Sequence, residues 1–490
     1  MKLDLKYNAI AIALSALLVL TGCSKVLDKQ PKTNVITTTD STLTAAVANS
    51  LISGVYTKYK GYDNGLEFNV LDRITNGDVR SDNCYAGGDN PDNITIDLFT
   101  VNTVNNNVSR DWSDAFAIIA NANSAIYQIG KCVDPALSAA RKSQMLGEAR
   151  TMRAAVYFDL VRLFGKVPVM LNPVDQSNSE NLIKSVLLPQ TTVDSVYLTI
   201  LNDLWYARGT VGNVSDHPND KFTVSRGVVN ALLAKVYAAK LPVNWDSVAY
   251  YCDQTIPDYT ILADFNQLWD NDHKNNSEAI WELPYSGYGA GDQIGNWIPS
   301  QFIGSGWKKF ETPTNDLVNA FQTEGDVVRM NASIQFVDYG WSDPYWHDQS
   351  HFPILAKYND PNSGINDFYL IRLPDILLLR AEAYVAKGDV ASAATLVNKV
   401  RARVGLGPTP ATIAADMTLA IEKERRLELA FEGHRWFDLV RTGRTIAVMN
   451  AQKDGNGASL NYKVQDYMLV YPVPQTQIDL NSKLLQNPGY

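Results

Sequence analysis

Cysteine is scarce in this 490-residue chain, with four residues in all. Beyond residue 22 no stretch is long and apolar enough to span a bilayer, which takes about 20 apolar residues. The shortage of thiols excludes a disulfide framework. With Cys23 set aside, Cys84, Cys132 and Cys252 can form at most one bridge and leave one thiol over. Their spacing fits no zinc site. Basic residues are outnumbered, 43 Lys and Arg against 52 Asp and Glu, for a formal net charge of −9. Neutralising a phosphate backbone needs a basic face, so nucleic acid is a poor partner. Also missing are a Gly-x-Ser-x-Gly nucleophile elbow, a phosphate-cradling Gly-x-x-x-x-Gly-Lys loop and a His-Glu-x-x-His metal motif. Nothing in the sequence implies a cofactor.

What is present begins at the N-terminus. Lys2 and Lys6 precede an apolar run from Ala9 to Leu20, broken only by Ser15. That length suits a signal-peptide core rather than a membrane span. Leu20-Thr21-Gly22-Cys23 follows directly and resembles a bacterial lipobox. The resemblance implies a lipoprotein signal peptide over residues 1–22, cleavage before Cys23 and lipidation of Cys23. Several acyl chains then anchor stably where one is marginal. Residues 23–40 read as a lipidated, Thr-rich tether, and 41–490 as one body without a Pro/Ser linker.

Within that body helical patterns dominate. Leu146 to Phe164 is rich in Ala, Leu and Arg and stops at Gly165. Ser225 to Lys240 stops before Pro242, and Pro374 to Lys387 ends at Gly388, with Asp389 placed to cap the next helix. Met417 to Leu439 reads as a further long amphipathic stretch. Ala234-x-x-Tyr237-x-Ala239-Lys240 repeats as Ala381-x-x-Tyr384-x-Ala386-Lys387, each followed by a second helix, near Trp245 and Val390. Small residues at helical spacing let antiparallel helices approach closely, with the Tyr filling the gap to the next pair, as in tetratricopeptide-like hairpins. Two regions interrupt this scaffold, at about 60–110 and 257–370. Both are rich in Asn, Gly and aromatic residues and read as irregular loops with short strands. The expected fold is therefore mainly α: helical hairpin repeats carrying large loop and short-strand insertions.

Three groups of residues invite a chemical reading. Glu424, Glu428 and Glu432 lie at i, i+4 spacing with Arg425, Arg426, His434 and Arg435 nearby, which reads as an ion-pair network on a helix face. A glycosidase would instead set two carboxyl groups across a cleft. His347 and His351 are four apart, but flanking prolines argue against the helix a metal pair needs, so no metal site is assigned. The third group is aromatic. Residues 281–346 hold Trp281, Tyr285, Tyr288, Trp297, Trp307, Trp341, Tyr345 and Trp346, several among glycines. A flat ring covers the C–H face of a sugar while polar neighbours bond its hydroxyl rim. Trp281 in Ala-Ile-Trp-Glu reads as strand core. Trp297, Trp307, Trp341, Tyr345 and Trp346 are the candidate ligand platform. Tyr85 and Tyr62, with Arg80 and Asn83, are candidates for a second wall.

The longer motifs carry a resemblance. Arg372-Leu-Pro-Asp-Ile-Leu-Leu-Leu-Arg-Ala-Glu-Ala383, Val397-Asn-Lys-Val-Arg-Ala-Arg403, Glu424 through Gly433-His-Arg-Trp-Phe-Asp438 to Arg441, Tyr471-Pro-Val-Pro-Gln475 and Leu485-Gln-Asn-Pro-Gly489 resemble the SusD/RagB family. Upstream, Trp112-Ser-Asp-Ala-Phe116, Glu148-Ala-Arg150 and Asn276-Ser-Glu-Ala-Ile280 fit as well. The resemblance implies a fold with four tetratricopeptide-like units and a lipid anchor in the outer membrane, facing the cell exterior. It implies capture of an oligosaccharide or similar nutrient without catalysis, and a SusC-like TonB-dependent transporter as partner. Some relatives take peptides or other nutrients, and a lipid-anchored glycoside hydrolase is the rival class.

Overall fold

Why the helices start where they do is visible at their first residues. Asn105, Ser138, Thr192, Ser225, Asn244 and Asp389 each turn a side-chain oxygen onto a backbone N–H of the first helical turn. In the computed structural model, which describes residues 43–61, 67–287, 299–302, 308–339, 342–348, 350–358, 360 and 362–490, each of these six caps opens one of the main helices. They are α1 (Ala45–Lys60), α2 (Pro91–Asp97), α3 (Asn106–Lys131), α4 (Ala139–Phe164), α5 (Ser179–Val186), α6 (Val193–Arg208), α7 (Arg226–Ala239) and α8 (Trp245–Thr255). After them come α9 (Asn315–Glu324), α10 (Val327–Ser333), α11 (Leu373–Ala386), α12 (Val390–Arg403), α13 (Ala414–Glu428) and α14 (Arg435–Arg441). Residues Thr44–Tyr490 form a compact unit with its own core. Cys23 and the tether lie outside the described residues. Among those described, no helix is long and apolar enough to cross a membrane.

The helices pack in sequence as neighbours: α3 on α4, α4 on α6, α6 on α7, α7 on α8, α8 on α11, and α11 on α12 and α13. The repeated pattern marks two of these pairs. Ala231, Ala234 and Ala238 of α7, and Ala381 and Ala383 of α11, are fully buried, so each helix approaches its neighbours without intervening bulk. The second helices begin at Trp245 and Val390, where the sequence places them. Tyr237 behaves differently from expectation. Its ring stacks on Tyr251 of α8, 5.8 Å away, so it fills its own hairpin rather than the gap to the next.

Three expectations need correction. The stretch from Met417 to Leu439 is not one helix. α13 ends at Glu428, the chain turns through Phe431 (φ 65°) and Gly433 (φ 77°), and α14 begins at Arg435. The turn is forced by close packing: the Gly433 N–H donates to the buried Asp78 carboxylate, and Gly77 presses on the Gly433 backbone. Nor is 257–370 all loop, because it contains α9 and α10. Finally, much of 60–110 is helical or helix-like and interior. Asn69, Asp72, Asn76, Asp78, Arg80, Asp82 and Asn83 are all buried.

Among the described residues, three two-stranded antiparallel sheets involve the second insertion, and one of them joins it to the first. β1 (Cys84–Tyr85) pairs with β3 (Thr312–Pro313), β2 (Ala279–Leu283) with β6 (Phe368–Arg372), and β4 (Ile334–Val337) with β5 (Phe352–Leu355). Trp281 lies in β2, buried, stacked 5.1 Å from Tyr59 of α1, as its strand-core pattern predicts. Cys84, Cys132 and Cys252 are buried, and burial pushes the Cys84 and Cys252 thiols well up. Thiolate is the reactive form. An alkylating reagent should therefore leave all three untouched in the native unit and modify all three in denaturant. Labelling of any of them before unfolding, seen by mass spectrometry, would contradict their burial.

Candidate functional site

The β1–β3 pair brings the two insertions together and sets Tyr85 opposite Thr312. Beside it the sequence Ser342-Asp343-Pro344-Tyr345-Trp346 makes a turn. Asp followed by Pro is the chemistry of such a turn, with the carboxylate accepting from backbone N–H groups ahead of it. Asp343 Oδ1 accepts from Tyr345 N at 3.1 Å and Trp346 N at 2.8 Å, and its carbonyl accepts from His347 N at 3.0 Å. Its other carboxylate oxygen accepts from the Tyr85 hydroxyl. One carboxylate thus ties together strand β1 and the aromatic turn.

The rings follow from that anchoring. Tyr85 and Tyr345 stack with centroids 4.0 Å apart and planes 8° from parallel. Trp346 meets Tyr345 edge-on at 5.7 Å, and its indole N–H donates to Pro313 O at 3.2 Å. Tyr345 OH donates to Lys453 O and accepts from Asn315 N, both at 3.1 Å. A side chain at Gly455 would strike Trp346 at 3.0 Å, so that glycine lets the C-terminal loop close on the indole. Tyr85 and Tyr345 are buried, whereas Trp346 is half-buried. Burial raises the Tyr85 phenol well above its ordinary range, and the Asp343 carboxylate raises it further, so it stays protonated and able to donate.

Further aromatics extend this surface. Phe336 on β4 stacks with His351 at 4.8 Å, and Tyr339 meets Phe352 edge-on at 5.7 Å. The Lys309 ammonium lies 5.2 Å from the Tyr339 ring. Burial brings it down to about 8, an effect the Asp343 carboxylate partly offsets. The sequence reading missed Asp343, Phe336, Tyr339 and Lys309. For Asp343 a signal existed in the Asp-Pro dipeptide; for the others there was only ordinary strand patterning.

The structure thus brings together Tyr85, Tyr345 and Trp346 of the residues named from sequence. Trp297, Trp307 and Trp341, with Tyr62, lie outside the described residues. Asn83 and Arg80 are interior. The Asn83 side chain donates to Asp78 Oδ1 at 2.9 Å and accepts from Arg426 Nε at 2.9 Å. The Arg80 guanidinium sits 4.3 Å from the Trp436 ring and 4.0 Å from that of Tyr471. Both serve packing between the first insertion and the C-terminal helices.

The charged stretch is an ion-pair network, but not one along a helix face: Glu432 lies beyond the end of α13, and the glutamates are held by basic residues from other elements rather than by the neighbouring Arg425, Arg426 and Arg435. Arg372 forks onto Glu432 at 2.7 and 2.8 Å and also reaches Glu278 at 2.9 Å. Arg329 reaches Glu424 at 2.7 Å and Glu428 at 3.0 Å. Arg403 and Arg372 both donate to Glu428 as well, and Lys357 meets Glu432 at 2.7 Å. All of these glutamates are buried and held by cations rather than facing a cleft. The histidine pair does not ride on a helix: His347 and His351 both have positive φ, 56° and 64°. His347 Nε2 lies 3.2 Å from Asp454 Oδ2.

Comparison with known proteins fits this architecture. Residues 343–490 match the model of the SusD family, and residues 25–238 match a model described as starch-binding, associating with the outer membrane. A SusD-like protein of Bacteroides ovatus is 25% identical over 505 residues, covering 90% of this chain and 83% of its own. Another from Formosa agariphila is 26% identical over 436 residues, 78% and 80% of the two chains. Among solved structures, a laminarin-binding SusD-like protein superposes with a TM-score of 0.74 at 26% identity, over 91% of this chain and all of its own. Surface glycan-binding protein A from Bacteroides fluxus shares the fold, with a TM-score of 0.75. On these matches, and on the helical-repeat scaffold that carries them, the chain belongs to the SusD/RagB family.

Proposed function

We propose that this chain captures an oligosaccharide at the cell surface and passes it, uncleaved, to a SusC-like TonB-dependent transporter in the outer membrane, held there by lipid on Cys23. The observation that carries the reading is the aromatic turn. Trp346 is half-buried on a base fixed by the Tyr85–Tyr345 stack and by Asp343. Such a platform needs no reorganisation to receive the C–H face of a sugar, which keeps the entropy cost of binding low. Reversible capture suits a handoff, since affinity is set mostly by the rate of release. The laminarin-binding relative supports a glycan over a peptide. The network around Glu428 supports binding over hydrolysis, because those carboxylates are engaged with arginines.

The test is calorimetry of the unit from Thr44 onward against a panel of laminarin, starch, other glycans and peptides. Saturable binding of a glycan is expected, with Trp346→Ala weakening it roughly tenfold or more. New reducing ends appearing on incubation would replace capture with hydrolysis. Binding confined to the peptides would change the nutrient class.

A further inference from the structure

A cleft of about 540 Å³ opens among the helices, sharing no lining residue with the aromatic turn. Volumes of this order hold small-molecule ligands. Its walls come from separate elements: Leu419 on the outer face of α13, Val385 on the last turn of α11, and Val243 and Trp245 at the entry to α8. Leu419 is 50% exposed although it is a large aliphatic residue. The charged groups at the inner end mostly satisfy one another. Arg441 forks onto Glu382 at 2.5 and 2.7 Å, and Arg435 reaches Glu422 at 3.2 Å.

Arg444 is different. Its side chain is 45% exposed, and its closest approach to Glu422 is Nε to Oε2 at 3.2 Å. Its two terminal nitrogens make no hydrogen bond to the described residues. A guanidinium edge in that state matches a carboxylate bidentately. A sugar is a poor fit here, because the other polar groups are already paired and would leave a rim of hydroxyls without partners.

We propose that this cleft is a second ligand site, for an amphipathic carboxylate whose apolar body lies against Trp245, Val385 and Leu419 and whose head meets the Arg444 fork. The probes are octanoate and its neutral twin octanol, titrated into the unit from Thr44 onward by calorimetry, with carboxyl-labelled octanoate followed by carbon NMR. Octanoate should saturate one site, and octanol should bind more weakly. Arg444→Gln should weaken octanoate about tenfold, the worth of one charge-assisted contact, and leave octanol unchanged. Leu419→Glu, or Ala415→Trp as an independent block, should abolish binding of both. Glycan binding should be untouched in all three variants, so this result stands or falls apart from the capture reading. Absence of saturable octanoate binding, octanol binding as tightly as octanoate, or full octanoate affinity in Arg444→Gln or in both blocking variants would overturn it.

Discussion

Glu428→Ala should cost the fold about 3–5 kcal/mol, the range for breaking a buried ion pair by removing one partner. The size follows from what the carboxylate holds. Arg329, Arg372 and Arg403 all donate to it, and all three are buried with it. Without Glu428 three guanidiniums lose a counter-charge and have no water to replace it. These arginines also come from different places: the first turn of α10, the end of β6 and the end of α12. The network therefore clasps the second insertion to the helical scaffold, and its loss should loosen both. Urea unfolding by circular dichroism measures the effect. A midpoint within error of the wild type would show that the network is dispensable.

The same carboxylates predict the acid limb of stability. Burial alone would raise Glu428, but Arg403, Arg372 and Arg329 outweigh it and hold its carboxyl well below the ordinary range. Burial likewise opposes Asp82, yet Arg426 and Arg435 hold it at about 2. A group depressed in the folded state stabilises fully above its unfolded value, about 4, and loses that contribution as pH falls through the folded value. Stability should therefore decline from about pH 4 towards pH 2, and Glu428→Ala should make that decline shallower. Asp78 and Asp97 act oppositely. Burial raises both to about 7, so what their protonated forms contribute is present below about pH 4 and lost as pH rises through 7.

Gly77→Ala should be at least as damaging. A Cβ on Gly77 would stand 2.2 Å from both the carbonyl carbon and oxygen of Gly433. Those are backbone atoms, so no rotamer relieves the clash. The turn at 433 must move away, and with it the bond from Gly433 N to Asp78 and the fork of Arg435 on Asp82 at 2.7 and 2.8 Å. Overpacking ordinarily costs about 1–3 kcal/mol. Here the loss of buried pairs adds to it, and we expect at least about 3 kcal/mol or failure to fold. Gly54→Ala is the contrast. Gly54 lies inside α1 with open space where the Cβ would be, so alanine there should stabilise by roughly 0.5–1 kcal/mol. Thermal melts of the two variants should move in opposite directions. A Gly77→Ala protein melting with the wild type would mean the two backbones are not in contact.

The helical repeats were legible because their signals are local. The Ser225 and Asp389 caps, the Ala-x-x-Tyr spacing and the stops at Gly165 and Gly388 all act within a few residues. The interior character of 69–83 was not legible. Asn69, Asp72, Asn76, Asp78 and Asp82 have the composition of a solvated loop, and only their partners make them core. Several of those partners lie far along the chain: Arg435 bonds Asp82, Arg426 bonds Asn83, and Tyr471 OH donates to Asn76 at 2.7 Å. The same distance effect misplaced Arg80 and Asn83 as ligand residues. The break between α13 and α14 had a local cue in Gly433, but the charge periodicity runs on through it and suggested one helix. Of the ring cluster, Tyr345 and Trp346 were singled out as a platform and Tyr85 as part of a separate wall, and the stacking that joins them was not legible. Nor was the carboxylate that organises them, because its role depends on a strand more than two hundred residues away.

That stitching fixes when the molecule can become stable. Part of the dense polar layer of residues 69–83 is held nearby, Asp72 by Arg110 and Arg73 by Asp159, but Asp82 and Asn83 have their cationic partners on Arg426 and Arg435, so an emerging polypeptide carries an incomplete interior until those residues have been made. Contacts of such separation close slowly. Assembly of this molecule must end with its C-terminal fifth sealing its first hundred residues, and a ribosome-bound or prematurely ended product is the form most exposed to aggregation and proteolysis.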